Sequence, residues 1–85
     1  MKEKLRHKLS AFLHSKEASE ENPFKCNILL DSDAMGLSTL QIPTITEMFE
    51  DNEGIIWLKV DNELIEFDDI YTNSDLLLIE EALLK

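Results

Sequence analysis

Carboxylates are the side chains with the most capacity for chemistry in this 85-residue chain: 18 Asp and Glu stand against 8 Lys and Arg. The run Asp31-Ser32-Asp33-Ala34-Met35-Gly36 begins like a calcium loop, D-x-D-x-x-G. The pattern then fails. Met35 offers no hard oxygen at the fifth place, and Ile42 stands at the twelfth, where a bidentate Glu is needed. The run therefore reads as an acidic loop. Glu63, Glu66, Asp68 and Asp69 gather in a second group. Paired carboxylates can move protons or hold magnesium. No Lys or His motif accompanies these four, and the residue two before Lys59 is Trp57 rather than the acid a restriction-type nuclease requires. They read as a solvated acidic face.

The remaining reactive types give no stronger set. His7 and His14 are seven apart, which on a helix separates them by about 10 Å along the axis, too far for one metal ion. Cys26 is the only cysteine, so it forms no internal disulfide and no Cys-based metal site. It reads as a small buried side chain. No nucleophile–base pair, metal set or cofactor motif can be assembled, so neither an enzyme nor a cofactor is expected.

Among the elements that would hold these residues, the stretch Gly54–Ile70 reads as a β-hairpin. Apolar residues alternate into and out of Asp61-Asn62, the period of half-buried strands. Asp and Asn tolerate the positive φ of a two-residue turn. With that turn, Val60 faces Glu63, Leu58 faces Ile65 and Ile56 faces Phe67. One face then holds Ile56, Leu58, Val60, Ile65 and Phe67 and is expected in the core. The other holds Ile55, Trp57, Lys59, Leu64, Glu66 and Asp68. A one-residue slip would exchange the faces of one strand.

Earlier in the chain, residues 2–18 read as an amphipathic helix. Leu5, Leu9, Phe12 and Leu13 form its apolar stripe, with Lys4, His7, Lys8 and His14 opposite. Pro23 ends the polar break that follows. A strand is expected over Phe24–Asp31 and a second over Leu37–Ile42, ended by Pro43. Thr44–Asp51 reads as a short helix, with Thr44 and Glu47 as a capping box and Ile45, Met48 and Phe49 on one edge. The alternative is that residues 44–49 continue as strand, because Thr and Ile favour it. Thr72, Asp75 and Ser74 mark the start of a C-terminal helix. Its main stripe is Leu76, Ile79 and Leu83, with Leu77 and Leu84 to one side and Leu78 and Ala82 to the other.

The fold expected is a single α+β domain over residues 1–85. A small antiparallel sheet of three or four strands, including the hairpin 55–68, carries both terminal helices on one face, in the order α-β-β-α-β-β-α. A chain this short buries only about 60–65% of its unfolded surface, and self-association is a common remedy. The absence of an apolar leader or span points to a cytoplasmic protein without membrane contact.

Charge is divided unevenly. Residues 1–16 hold five cations against Glu3, a balance of +4, while residues 17–85 hold 17 acids against Lys25, Lys59 and Lys85, a balance of −14. The acidic body would repel phosphates, so direct nucleic-acid binding is not expected. The cations of the first helix would neutralise the protein's own acids or meet an acidic partner.

The reading favoured is a non-catalytic protein–protein interaction module, homodimeric in its simplest form. It would dock through Trp57, Lys59, Leu64 and Glu66 on the sheet face, or through Leu77 and Leu84 on the last helix. Trp is enriched at interface hot spots. The alternative is an acidic decoy or inhibitor, of nucleic-acid-mimic or immunity type, that presents carboxylates to a basic protein.

Overall fold

The computed structural model describes residues 2–31, 43–70 and 72–84. Leu5, Leu9 and Leu13 recur on one side of helix α1, Lys2–Ser15, and all three are buried. The helix ends in a Schellman motif. Glu17 takes a left-handed φ of 56°, while Ala18 N donates to Leu13 O and Glu17 N to His14 O. The chain then turns at Ser19–Asn22, which exchange backbone hydrogen bonds of 3.1 Å in both directions.

Four strands follow: β1 Phe24–Leu29, β2 Thr44–Glu50, β3 Ile56–Val60 and β4 Glu63–Glu66. They form one antiparallel sheet in the order β1-β2-β3-β4. A single 3-10 turn over Phe67–Asp69 leads to helix α2, Asn73–Leu83. Thr72 caps α2 by accepting from Asp75 N. Among the described residues the element order is α-β-β-β-β-α, with an N-terminal and a C-terminal helix around the sheet. The second strand expected over Leu37–Ile42 and the loop from Ser32 to Gly36 lie outside the described residues.

The hairpin has the expected register. Asp61 and Asn62 both have positive φ, 50° and 72°, the pair that a type I′ turn needs. Val60 pairs with Glu63, Lys59 with Leu64, Leu58 with Ile65 and Trp57 with Glu66. The ladder stops there. Phe67 opens the 3-10 turn and is buried.

Thr44–Asp51 is not a helix. Residues 44–50 form a central strand hydrogen-bonded on both sides, so the alternative extended reading is the correct one. The cause of the helical appearance is a bulge. Between Ile45 and Glu47 two steps of β2 face the single step from Val60 to Lys59, which leaves Thr46 as an extra residue. An extra residue resets the two-residue alternation. Ile45 and Met48, three apart, consequently both face the core and are fully buried. The Thr44/Glu47 capping box does not form, because Glu47 turns to Lys25 and Lys59 instead.

One core unites both helices with one face of the sheet. It holds Leu5, Leu9 and Leu13 of α1, Leu76 and Ile79 of α2, and Ile28, Ile45, Met48, Ile56, Leu58 and Val60 of the strands, closed by Leu30, Phe67 and Ile70. The helices lie side by side and run the same way: Lys8 meets Glu80 at 3.5 Å, and one turn further along, Ala11 and Phe12 share a groove with Leu83 and Leu84.

Candidate functional site

Strand alternation sends every second residue of the sheet away from the helices. On that outer face Lys25, Glu47, Lys59 and Leu64 form one cross-strand row, and Phe49, Trp57 and Glu66 form a second. Among the described residues no helix covers this face.

Trp57 is fixed by the turn between β2 and β3. Asp51 closes β2, and its Oδ1 accepts from Glu53 N and Ile55 N at 2.9 Å each. Its Oδ2 accepts from Trp57 Nε1 at 2.9 Å. Gly54, with φ 83°, allows the tight return. The bond from Trp57 and then those from the backbone hold the Asp51 carboxyl below the usual carboxylate range. The indole ring is thereby held against the sheet with its polar edge satisfied. Phe49, its cross-strand neighbour, is only 5% exposed although it lies outside the main core.

The charged row is also ordered. Glu47 lies 2.9 Å from Lys25 and 3.8 Å from Lys59. These two cations, Lys25 first, hold its carboxyl low. Leu64, beside Lys59, is 51% exposed, and Leu29 on β1 is 49% exposed. The site residues read from the hairpin thus come together: Trp57, Lys59, Leu64 and Glu66 share one surface. Leu77 and Leu84 lie elsewhere, on the side of α2 nearest α1. Leu77 is 42% exposed, whereas Leu84 packs against the edge of the core.

The cations of α1 are largely turned on the protein's own acids. Arg6 bridges Glu3 and Asp68, and both partners raise its pKa. Lys2 Nζ donates to Asp68 O at 2.6 Å. Lys8 pairs with Glu80. His14 Nε2 stands 3.2 Å from Glu50 Oε1, which also accepts from Ser10 Oγ at 2.5 Å. Lys4 is exposed.

Among the described residues the reactive groups do not converge. The Cys26 thiol donates weakly to Ile45 O at 3.7 Å, and burial, with Glu47 nearby, pushes it up to about 11. It stays a thiol at neutral pH. Among the described residues no three His, Cys, Asp or Glu side chains are grouped to hold a metal ion. Asp31, where the calcium-like run begins, instead ties the chain to α2. Its N–H donates to Asp75 Oδ1 at 2.7 Å, and its Oδ2 accepts from Ser74 Oγ at 2.5 Å.

Two groups escaped the sequence reading. Asp51 stood out only as a turn residue, although Asp at the first place of a turn with Gly at the fourth is a signal for such a bond pattern. Asp75 is fully buried, and among the described residues its Oδ2 has no hydrogen-bond partner. Nothing in its spacing distinguishes it from an ordinary acid in a first helical turn. Among the described residues no helix is long and apolar enough to cross a membrane. No family model matches the chain, and no curated protein or solved structure matches it either.

Proposed function

We propose that this chain is a non-catalytic protein interaction module that docks through the outer face of its sheet. The supporting observation is the pairing of a pre-set Trp57 with the half-exposed Leu64 on a face that no described helix covers. Amphipathic aromatics held in one rotamer bind with little loss of conformational freedom. Lys59 and Glu66 beside them supply charge that selects the partner.

The acidic decoy reading receives less support. It needs Glu63, Glu66, Asp68 and Asp69 as one free row, yet Asp68 is occupied by Arg6 and Glu66 is half-buried opposite Trp57. Capture of partners from the native lysate tests the proposal. Leu64→Asn removes exposed apolar surface without opening the core. It should abolish a salt-resistant partner, while Asn27→Asp, away from the Trp57 row, leaves it bound. A partner lost at high salt and indifferent to Leu64→Asn would refute sheet-face docking.

A further inference from the structure

The helix layer on the other side of the molecule is divided in charge and polarity. The solvent side of α1 carries Lys4, His7, Lys8 and His14, with the small Ala11 among them. The solvent side of α2 carries Leu77, Leu78 and Ala82 around Glu81, and α2 contains no basic residue. Between the helices runs a shallow groove floored by Phe12, Leu83 and Leu84 and edged by Lys8. The chain therefore holds, side by side, a basic helix with a small apolar centre and an acidic helix with exposed leucines. Each is what the other's free side would bind.

We propose that two copies of this chain associate through their helix layers, α1 of each lying over α2 of the other. The inference rests on reading the chain as an interaction module, but uses a surface distinct from the Trp57 face. A two-fold axis running along the helices, between the two layers, brings α1 across from α2 of the second copy twice. This arrangement is isologous. Lys8 of one copy, with Lys4 one turn before it, then faces Glu81 of the other, Ala82 lies over Ala11, and Leu77 and Leu78 rest on the aliphatic stems of Lys4 and Lys8. The alternative two-fold, across the helices, sets α1 on α1 and opposes cations to cations. Charge thus chooses between the two dimers, as like-charge contacts exclude wrong pairings. A second copy is the occupant of choice because it supplies both halves. In the chosen arrangement the sheet faces, with their Trp57 rows, point outward and remain free.

Charge reversal tests this directly. Each chain carries −10 overall, so salt screens repulsion and attraction together and does not discriminate. The wild-type chain should show a concentration-dependent dimer by sedimentation equilibrium in the micromolar range. Lys4→Glu/Lys8→Glu and, separately, Glu81→Lys should each weaken it about tenfold or more, since several exposed ion pairs become repulsions. An equimolar mixture of the two variants should recover dimer, because both interfaces are then complementary again. All three positions are exposed, and circular dichroism verifies the fold of each variant. Leu77→Ser gives a charge-independent check and should also weaken association.

A wild-type chain that stays monomeric at high micromolar concentration overturns the proposal. So does a dimer indifferent to these variants, or a mixture that fails to recover. A dimer lost in Leu64→Asn but untouched by the helix variants would overturn the helix-layer assignment while leaving the sheet-face module standing. A monomer that also captures no sheet-face partner would remove both.

Discussion

Replacing Ile79 and Leu77 by Ala, one at a time, separates what α2 buries within the monomer from what it offers outside. Ile79 is wholly buried, while Leu77 is 42% exposed. Truncating a fully buried Ile removes its transfer energy and leaves a cavity, a cost of about 2–5 kcal/mol. A chain of 85 residues has roughly 4–13 kcal/mol of stability in total. Its unfolding entropy is about 180 cal/mol/K, so each kcal/mol moves the melting temperature by about 5–6 °C. Ile79→Ala should therefore lower the midpoint by about 10–30 °C. Leu77→Ala loses only part of a side chain's burial, and Ala is an equally good helix former, so the cost is about 1 kcal/mol or less.

Calorimetry or thermal circular dichroism at two protein concentrations provides the assay. In dilute solution the two variants should differ sharply. In concentrated solution the wild type should gain stability by mass action, and Leu77→Ala should lose that gain. If Leu77→Ala costs as much as Ile79→Ala in dilute solution, α2 is rotated from the position described. The argument for its exposed leucines then fails.

Other outcomes follow from single groups. Asp51→Asn should release the Trp57 indole and shift its fluorescence to the red while far-UV circular dichroism stays unchanged; an unaltered spectrum would show that Asp51 does not set the ring. Because the folded-state pKa of Asp51 is lowered, its contribution is present above the unfolded carboxylate pKa. It is lost as pH falls through the folded value, so the wild type should lose more stability than Asp51→Asn as the pH is taken below the ordinary carboxylate range. Cys26, raised from 9.0 to about 11, should be alkylated slowly at neutral pH and much faster once the chain is unfolded. The stability it contributes is complete below pH 9.0 and is lost as pH rises toward about 11; rapid modification of the native protein would contradict its burial. Glu17→Gly should stabilise by about 0.5–1 kcal/mol, because Glu17 holds a left-handed φ that glycine adopts without penalty. A loss of stability in a urea titration would refute that account.

The candidate site was legible where it depended on one strand pair. Alternation on either side of Asp61-Asn62 determined that Trp57, Lys59, Leu64 and Glu66 share a face, because a two-residue turn leaves no freedom of register. Leu77 and Leu84 were less legible. Seven residues apart, they lie on the same side of α2, but their burial depends on which residues of α1 stand beside them. The C-terminal turn of α2 meets Ala11 and Phe12, so Leu84 is partly covered and Leu77 is not.

Local periods therefore carried the two terminal helices, the first strand, the hairpin and the charge division between residues 1–16 and the rest. Such features involve neighbours a few residues apart, and a single residue pattern encodes them. Tertiary structure decided what those periods leave open. Ile45, Met48 and Phe49 have helical spacing, yet hydrogen bonding to β1 and β3 on both sides makes residues 44–50 a strand, with the spacing absorbed by a bulge at Thr46. Asp75 is buried because Asp31, 44 residues earlier, delivers its backbone N–H to it. Asp68 is drawn out of the acidic row by Arg6, 62 residues away. Each of these outcomes depends on a partner distant in sequence, which composition and spacing around the residue do not specify.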